Sequence, residues 1–160
     1  MLEEKKQASA DQELDSFVEE LQQQILEETR QVYGDTAYER WLNPVYNGTI
    51  DSPDGYGCVT GPCGDTMKIY LKFKDDCVKE ASFMTDGCGS SNICGSFAAE
   101  MAIGKTPDEL SDITQNAILE KLGGMPEEDE HCALLAADTI QDALNDYRVK
   151  QTSRQEKKEL

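Results

Sequence analysis

The stretch "MKIYLKFKDDCVKEASFMT", Met67 to Thr85, decides the fold. Met67, Ile69, Leu71 and Phe73 alternate with Lys68, Tyr70, Lys72 and Lys74, which is the period of a strand with one buried face. Asp75 and Asp76 then form a turn into a second strand, "CVKEASFMT", and "YGCVT" (Tyr56 to Thr60) supplies a third before them. Strands joined by such short connections pair antiparallel, so the segment predicts a three-stranded meander.

Helical periods lie on both sides of it. Leu14, Phe17, Val18, Leu21 and Ile25 recur at three and four, predicting an amphipathic helix from Asp11 to about Tyr33. Its stripe is expected to pack on the domain; a heptad seam for self-association fails at Glu28. "YERWLNP" reads as a short helix ended by Asn43 and Pro44, with Trp41 in the core, and Asn47 to Gly57 reads as loop. After Gly89, Ile93, Phe97, Ala98 and Met101 share a helical face that stops at Gly104. Thr106, Pro107 and Glu109 have the pattern of a capping box. A short helix near Thr114 to Leu122 ends at Gly123-Gly124, and a last helix from about Glu130 to Tyr147 buries Leu135, Ile140 and Leu144. Strands followed by helices describe an α+β domain, a small antiparallel sheet with helices packed on one face.

The chain of 160 residues suits one domain, and its 15 basic against 32 acidic residues give a net charge of −17. The basic residues gather at the end, leaving residues 1–147 at −20. Such a body repels phosphate backbones and anionic lipid, which argues against nucleic acid and membrane surfaces as partners. The N-terminus lacks the apolar core of a secretory signal, and no window approaches the roughly 18 apolar residues of a membrane span. A cytoplasmic location is expected, where the six cysteines Cys58, Cys63, Cys77, Cys88, Cys94 and Cys132 are thiols or metal ligands rather than a disulfide framework.

Three short pieces carry the chemistry. "TGPCGD" sets Cys63 two residues before Asp65, "GCGSS" places Cys88 between glycines at a strand-to-helix junction, and "HC" puts the sole histidine, His131, beside Cys132. Each alone is weak. Together they offer three thiolates, an imidazole and a carboxylate at element boundaries, a donor set that selects zinc, copper(I) or iron-sulfur chemistry over magnesium or calcium. Other motifs fail on spacing. Cys58 and Cys63 are too far apart for Cys-x-x-Cys, Asn92 stands where a dinucleotide fingerprint needs its third glycine, and a cysteine hydrolase needs a histidine that is not its nucleophile's chain neighbour.

The runs "GPCGDTMKIYLKF", "ASFMTDGCGSSNICGSFAAEMAIGKT" and "EHCALLAADTIQDAL", in this order, resemble the IscU/NifU-type iron-sulfur cluster assembly scaffold family from about Tyr38 to Tyr147. The resemblance implies a cluster site at one exposed end, made by Cys63, Asp65, Cys88, His131 and Cys132. It implies assembly of a 2Fe-2S cluster from iron and the sulfur of a cysteine desulfurase, transfer to apo iron-sulfur proteins, and no catalytic turnover of its own. The chain then divides into an acidic helical extension (1–34), a scaffold domain (35–148) and a disordered charged tail (149–160). Cys132, near a helix N-terminus, is the candidate persulfide acceptor, opposed by the acidic Glu127 to Glu130; Cys88 is the other choice. Cys58, Cys77 and Cys94 fall outside the set and are expected to pack or to be incidental.

Departures from the family pattern carry information. Many members have Leu-Pro-Pro-Val-Lys before the His-Cys pair, the segment read by an Hsp70-type chaperone; here it is Met125, Pro126, Glu127, Glu128 and Asp129, so that chaperone is not expected as a partner. The zinc-dependent sulfurtransferase branch, the alternative reading, carries an insertion before the last cysteine and lacks the histidine, whereas this chain has His131. Zinc suits the same ligands, and a purely structural zinc module is the third reading. The sequence leaves open whether a cluster sits in one subunit or bridges a homodimer.

Overall fold

The computed structural model describes residues 2–158, with side chains from Ala10 onward. Strands β1 (Gly55–Thr60), β2 (Thr66–Lys74) and β3 (Cys77–Thr85) form an antiparallel sheet in the order β1-β2-β3. Asp75 and Asp76 adopt positive φ of 53° and 61°, the twisted two-residue turn that matches the hand of the flanking strands. Met67, Ile69 and Leu71 are fully buried on the inner face, each contributing about 1.5–3 kcal/mol of burial. Phe73, beyond a register shift at Lys72/Phe73, is only partly buried and stacks on Tyr147 at 3.8 Å.

The described residues also form four α-helices: α1 (Leu2–Leu42), α2 (Gly89–Ala102), α3 (Gln115–Leu122) and α4 (Glu130–Lys158). Helix α4 lies directly on β1. A Cβ at Gly57 would stand 2.3 Å from the Thr139 carbonyl oxygen, so glycine there is what lets strand and helix backbones approach. The capping box forms: Glu109 accepts from the Thr106 N–H at 2.8 Å and Thr106 from the Glu109 N–H at 3.3 Å, but it opens only a short 3-10 turn, Glu109–Asp112. Thr114 caps α3 and Gly123, with φ of 88°, ends it.

Three expectations are corrected. The helix before Gly34 and the "YERWL" helix are separated there as expected, by non-helical φ 77° and ψ 165° within α1, but the stripe of the first does not pack on the domain: Leu14 and Phe17 are each 60% exposed. Tyr33, just before the break, packs against the core, and the portion after it is anchored through buried Ala37 and through Arg40, which pairs with Glu100, donates to Ser96 at 3.0 Å and lies 3.9 Å over the Phe97 ring. Trp41 is at the rim, 37% exposed, not in the core, because it sits on the last turn of α1 against Gly89. Helix α4 does not stop at Tyr147. Residues 149–158, expected to be disordered, continue it. They contain neither Gly nor Pro, Lys150 pairs with Asp146 one turn earlier, and Lys157 and Lys158 suit a helix C-terminus.

Candidate metal centre

The candidate ligands come from three junctions at one end of the sheet. Asp65 sits at the close of the β1–β2 connection, Cys88 is the N-cap of α2, and His131 and Cys132 open α4 after a 3-10 turn, Glu127–Asp129. Chain geometry brings them together because β2 begins beside the end of β3: Met67 pairs with Thr85, and the Thr66 N–H donates to Asp86 at 2.7 Å.

At the centre is a residue that sequence reasoning missed. Ser91, one turn into α2 and fully buried, donates its hydroxyl to Asp65 Oδ2 at 2.9 Å and lies 3.4 Å from Cys132 Sγ. Gly87 leaves room for this contact, since a Cβ there would stand 2.4 Å from Asp65 Oδ2 and 2.7 Å from Ser91 Oγ. The only local signal was Ser91's position three residues after Cys88, one helical turn away.

The thiols differ. Burial pushes the exposed Cys88 upward, but the backbone N–H groups and hydroxyls of Ser91 and Ser90 outweigh it and hold the thiol below its ordinary value. Cys132 is pushed up to about 11, by burial first and by the neighbouring Cys88 charge, against the opposing Ser91 hydroxyl. The expectation that a helix start makes Cys132 the ready thiolate therefore meets a larger desolvation effect. Cys94 packs in the core, with burial raising its thiol, while Cys58 is exposed on β1 instead of packing; Cys77 is half-buried.

His131 is oriented by the chain before it. Its Nδ1 lies 2.7 Å from the Glu128 carbonyl oxygen, which only an N–H can satisfy, so the lone pair falls on Nε2, 3.6 Å from Cys132 Sγ. Tyr33 donates to Asp129 Oδ2 and also meets Ser90 at 3.3 Å, tying α1 to this turn. Tyr33, Tyr38, Trp41, Gly89 and Ile93 wall a half-open pocket of about 330 Å3 that reaches Cys88. Cys63 is exposed, and among the described residues no three His, Cys, Asp or Glu side chains stand close enough together to hold a metal as placed. The donors that meet at Ser91 are thus Asp65 and Cys132, with Cys88 three residues before it on α2 and His131 on Cys132.

Residues 32–154 match the family described as NifU-like N terminal domain. The chain is 43% identical over 117 residues to iron-sulfur cluster assembly scaffold protein IscU 1 of Archaeoglobus fulgidus, covering 72% of this chain and 76% of that protein. It is 44% identical over 122 residues to the iron-sulfur cluster assembly protein IscU of Plasmodium falciparum, covering 74% and 75% of the two chains. In fold it is similar to the crystal structure of a NifU-like protein (N-terminal) from Brucella abortus, with TM-score 0.61 and 24% identity over 76% of this chain and 98% of that one. By sequence match, relatives and fold together, the chain belongs to the IscU/NifU family of iron-sulfur cluster assembly scaffolds.

Proposed function

We propose that this protein is a scaffold, not an enzyme, that assembles 2Fe-2S clusters from iron and desulfurase-derived sulfur and passes them to apo-proteins. The observation that carries the reading is the convergence of Asp65 and Cys132 on one buried hydroxyl of the helix that Cys88 begins, with the His131 Nε2 lone pair turned toward Cys132. Cys63, Asp65, Cys88, His131 and Cys132 are the proposed ligand residues. A set that mixes thiolates with one hard carboxylate and an imidazole ligates iron less firmly than four thiolates, which suits a cargo that must leave.

The cluster is cargo here, and sulfur must first be received. A scaffold thiolate attacks the outer sulfur of the desulfurase's cysteine persulfide; the new S–S bond forms on the scaffold and the desulfurase thiolate leaves. Cys132, fully buried, is out of reach of a partner in this conformation, whereas Cys88 is exposed and bordered by the aromatic pocket. Cys88 is therefore the proposed receiving thiol, with Cys132 taking up sulfur once the α4 start opens. Six free cysteines favour a reducing compartment such as the cytoplasm, and no helix among the described residues is long and apolar enough to cross a membrane. The acidic Glu127, Glu128 and Asp129, where many relatives carry the chaperone segment, speak for function without that chaperone.

The test is anaerobic incubation with ferrous iron, cysteine and a cysteine desulfurase, followed by transfer to an apo-ferredoxin. Wild type is expected to develop visible absorption and transfer it, and Asp65→Ala to hold its cluster longer. Transfer from Asp65→Ala at the wild-type rate would remove Asp65 from the mechanism. Colourless protein that keeps zinc yet accelerates the desulfurase would favour a sulfurtransferase.

A further inference from the structure

We infer that Ser91 is a positioning residue for the ligand set, fixing where Asp65 stands relative to Cys88 and Cys132. The inference rests on the scaffold reading of the site. Ser91 is fully buried, and its hydroxyl is the one side-chain or backbone donor to the Asp65 carboxylate among the described residues. A hydroxyl has one proton and two lone pairs. Donating to Asp65 at 2.9 Å uses the proton, and Cys132 Sγ at 3.4 Å, as a thiol, can then donate to a Ser91 lone pair. Cys88, the N-cap of α2, stands three residues before Ser91 on the same helix.

One buried helical residue thus touches side chains from two junctions, and the helix that carries it begins at the third, Cys88. Asp65 itself stands on a turn whose preceding Gly64 has φ of 90°, with no other partner among the described residues to stop the carboxylate from rotating into water. Remove the hydroxyl and the carboxylate loses its anchor, while alanine keeps helix α2 intact, since alanine is a strong helix former. The effect of Ser91 on a bound ion should then pass through Asp65. A residue that only packs the core would act independently of Asp65.

A double-mutant cycle separates these cases. Zinc affinity is measured by chelator competition for wild type, Ser91→Ala, Asp65→Ala and the double variant, with thermal melts of each. Ser91→Ala is expected to weaken zinc about tenfold, the scale seen when a residue orienting a ligand is lost. It should add less than about twofold once Asp65 is already alanine, the mark of one shared pathway. Unchanged affinity in Ser91→Ala, effects that multiply in full, or a Ser91→Ala melt more than about 10 °C lower, several times a typical single-site shift, would each overturn the positioning role. The cycle is independent of cluster formation. Failure of wild type to assemble a cluster would sink the scaffold reading, whereas a multiplicative zinc cycle beside normal assembly would sink only the role of Ser91.

Discussion

Tyr33 donates its hydroxyl to Asp129 Oδ2 at 2.5 Å, joining helix α1 to the turn that delivers His131 and Cys132. The bond spans 96 residues and puts α1 beside Ser90, on the helix that starts at Cys88. The carboxylate raises the Tyr33 hydroxyl above its ordinary value, with burial adding and Ser90 opposing. Tyr33→Phe is expected to lose about 1 kcal/mol at neutral pH, a fall of about 2–4 °C in melting temperature for a chain of this size. The Asp129 to Cys132 amides should exchange faster with solvent. Unchanged exchange there would deny the link.

The same bond has a pH signature. Its proton is held more tightly in the folded chain, so its stabilisation is complete below the unfolded tyrosine value of about 10 and is lost as pH rises through the higher folded value. Thermal melts from pH 8 to 11 should therefore fall more steeply for wild type than for Tyr33→Phe. Parallel curves would contradict it.

Cys88 and Cys132 should differ in reactivity. Cys88 is exposed and its thiol is lowered, while Cys132 is buried and pushed up to about 11. In metal-free protein at pH 7, iodoacetamide followed by peptide mass spectrometry is expected to find Cys88 modified well before Cys132. Labelling of Cys132 first would mean that the start of α4 is open in solution.

Gly87→Ala should act on the site from a position that carries no donor. The added methyl would fall 2.4 Å from Asp65 Oδ2 and 2.7 Å from Ser91 Oγ, forcing the pair apart. Zinc affinity should drop by about tenfold with the sheet intact by circular dichroism. Retained affinity would show that the Asp65–Ser91 contact does not matter to metal binding.

The part of helix α1 before Thr29 should contribute little to stability. Its apolar residues Leu14, Phe17, Val18, Leu21 and Ile25 are 41–60% exposed, and burial is what stabilises a packed helix. Deleting residues 1–28, which keeps Tyr33, is expected to move the melting temperature by less than about 2 °C. A larger fall would place the stripe on the domain.

What the sequence revealed was local. The alternation from Met67 to Phe73, the Asp75-Asp76 turn and the Thr106–Glu109 capping box each depend on neighbours within a few residues, and each formed. The stripe on α1 announced an apolar face but not what covers it, and Trp41 looked internal only because tryptophan usually is. Charge density in residues 149–158 suggested disorder, while the absence of Gly and Pro allowed the helix to continue. At the site, residue types and spacing singled out the donors. The Ser91–Asp65 contact across 26 residues and the Glu128 carbonyl that orients His131 are products of tertiary approach and of a 3-10 turn, which no spacing rule reports.

The most direct measurement is anaerobic cluster reconstitution with ferrous iron, cysteine and a cysteine desulfurase, comparing wild type with Cys132→Ser and with Cys58→Ser. Visible absorption and transfer to apo-ferredoxin are the readouts. Wild type and Cys58→Ser are expected to build and transfer a 2Fe-2S cluster, and Cys132→Ser is not. A cluster that forms equally well without Cys132, or wild-type protein that stays colourless under these conditions, would contradict it.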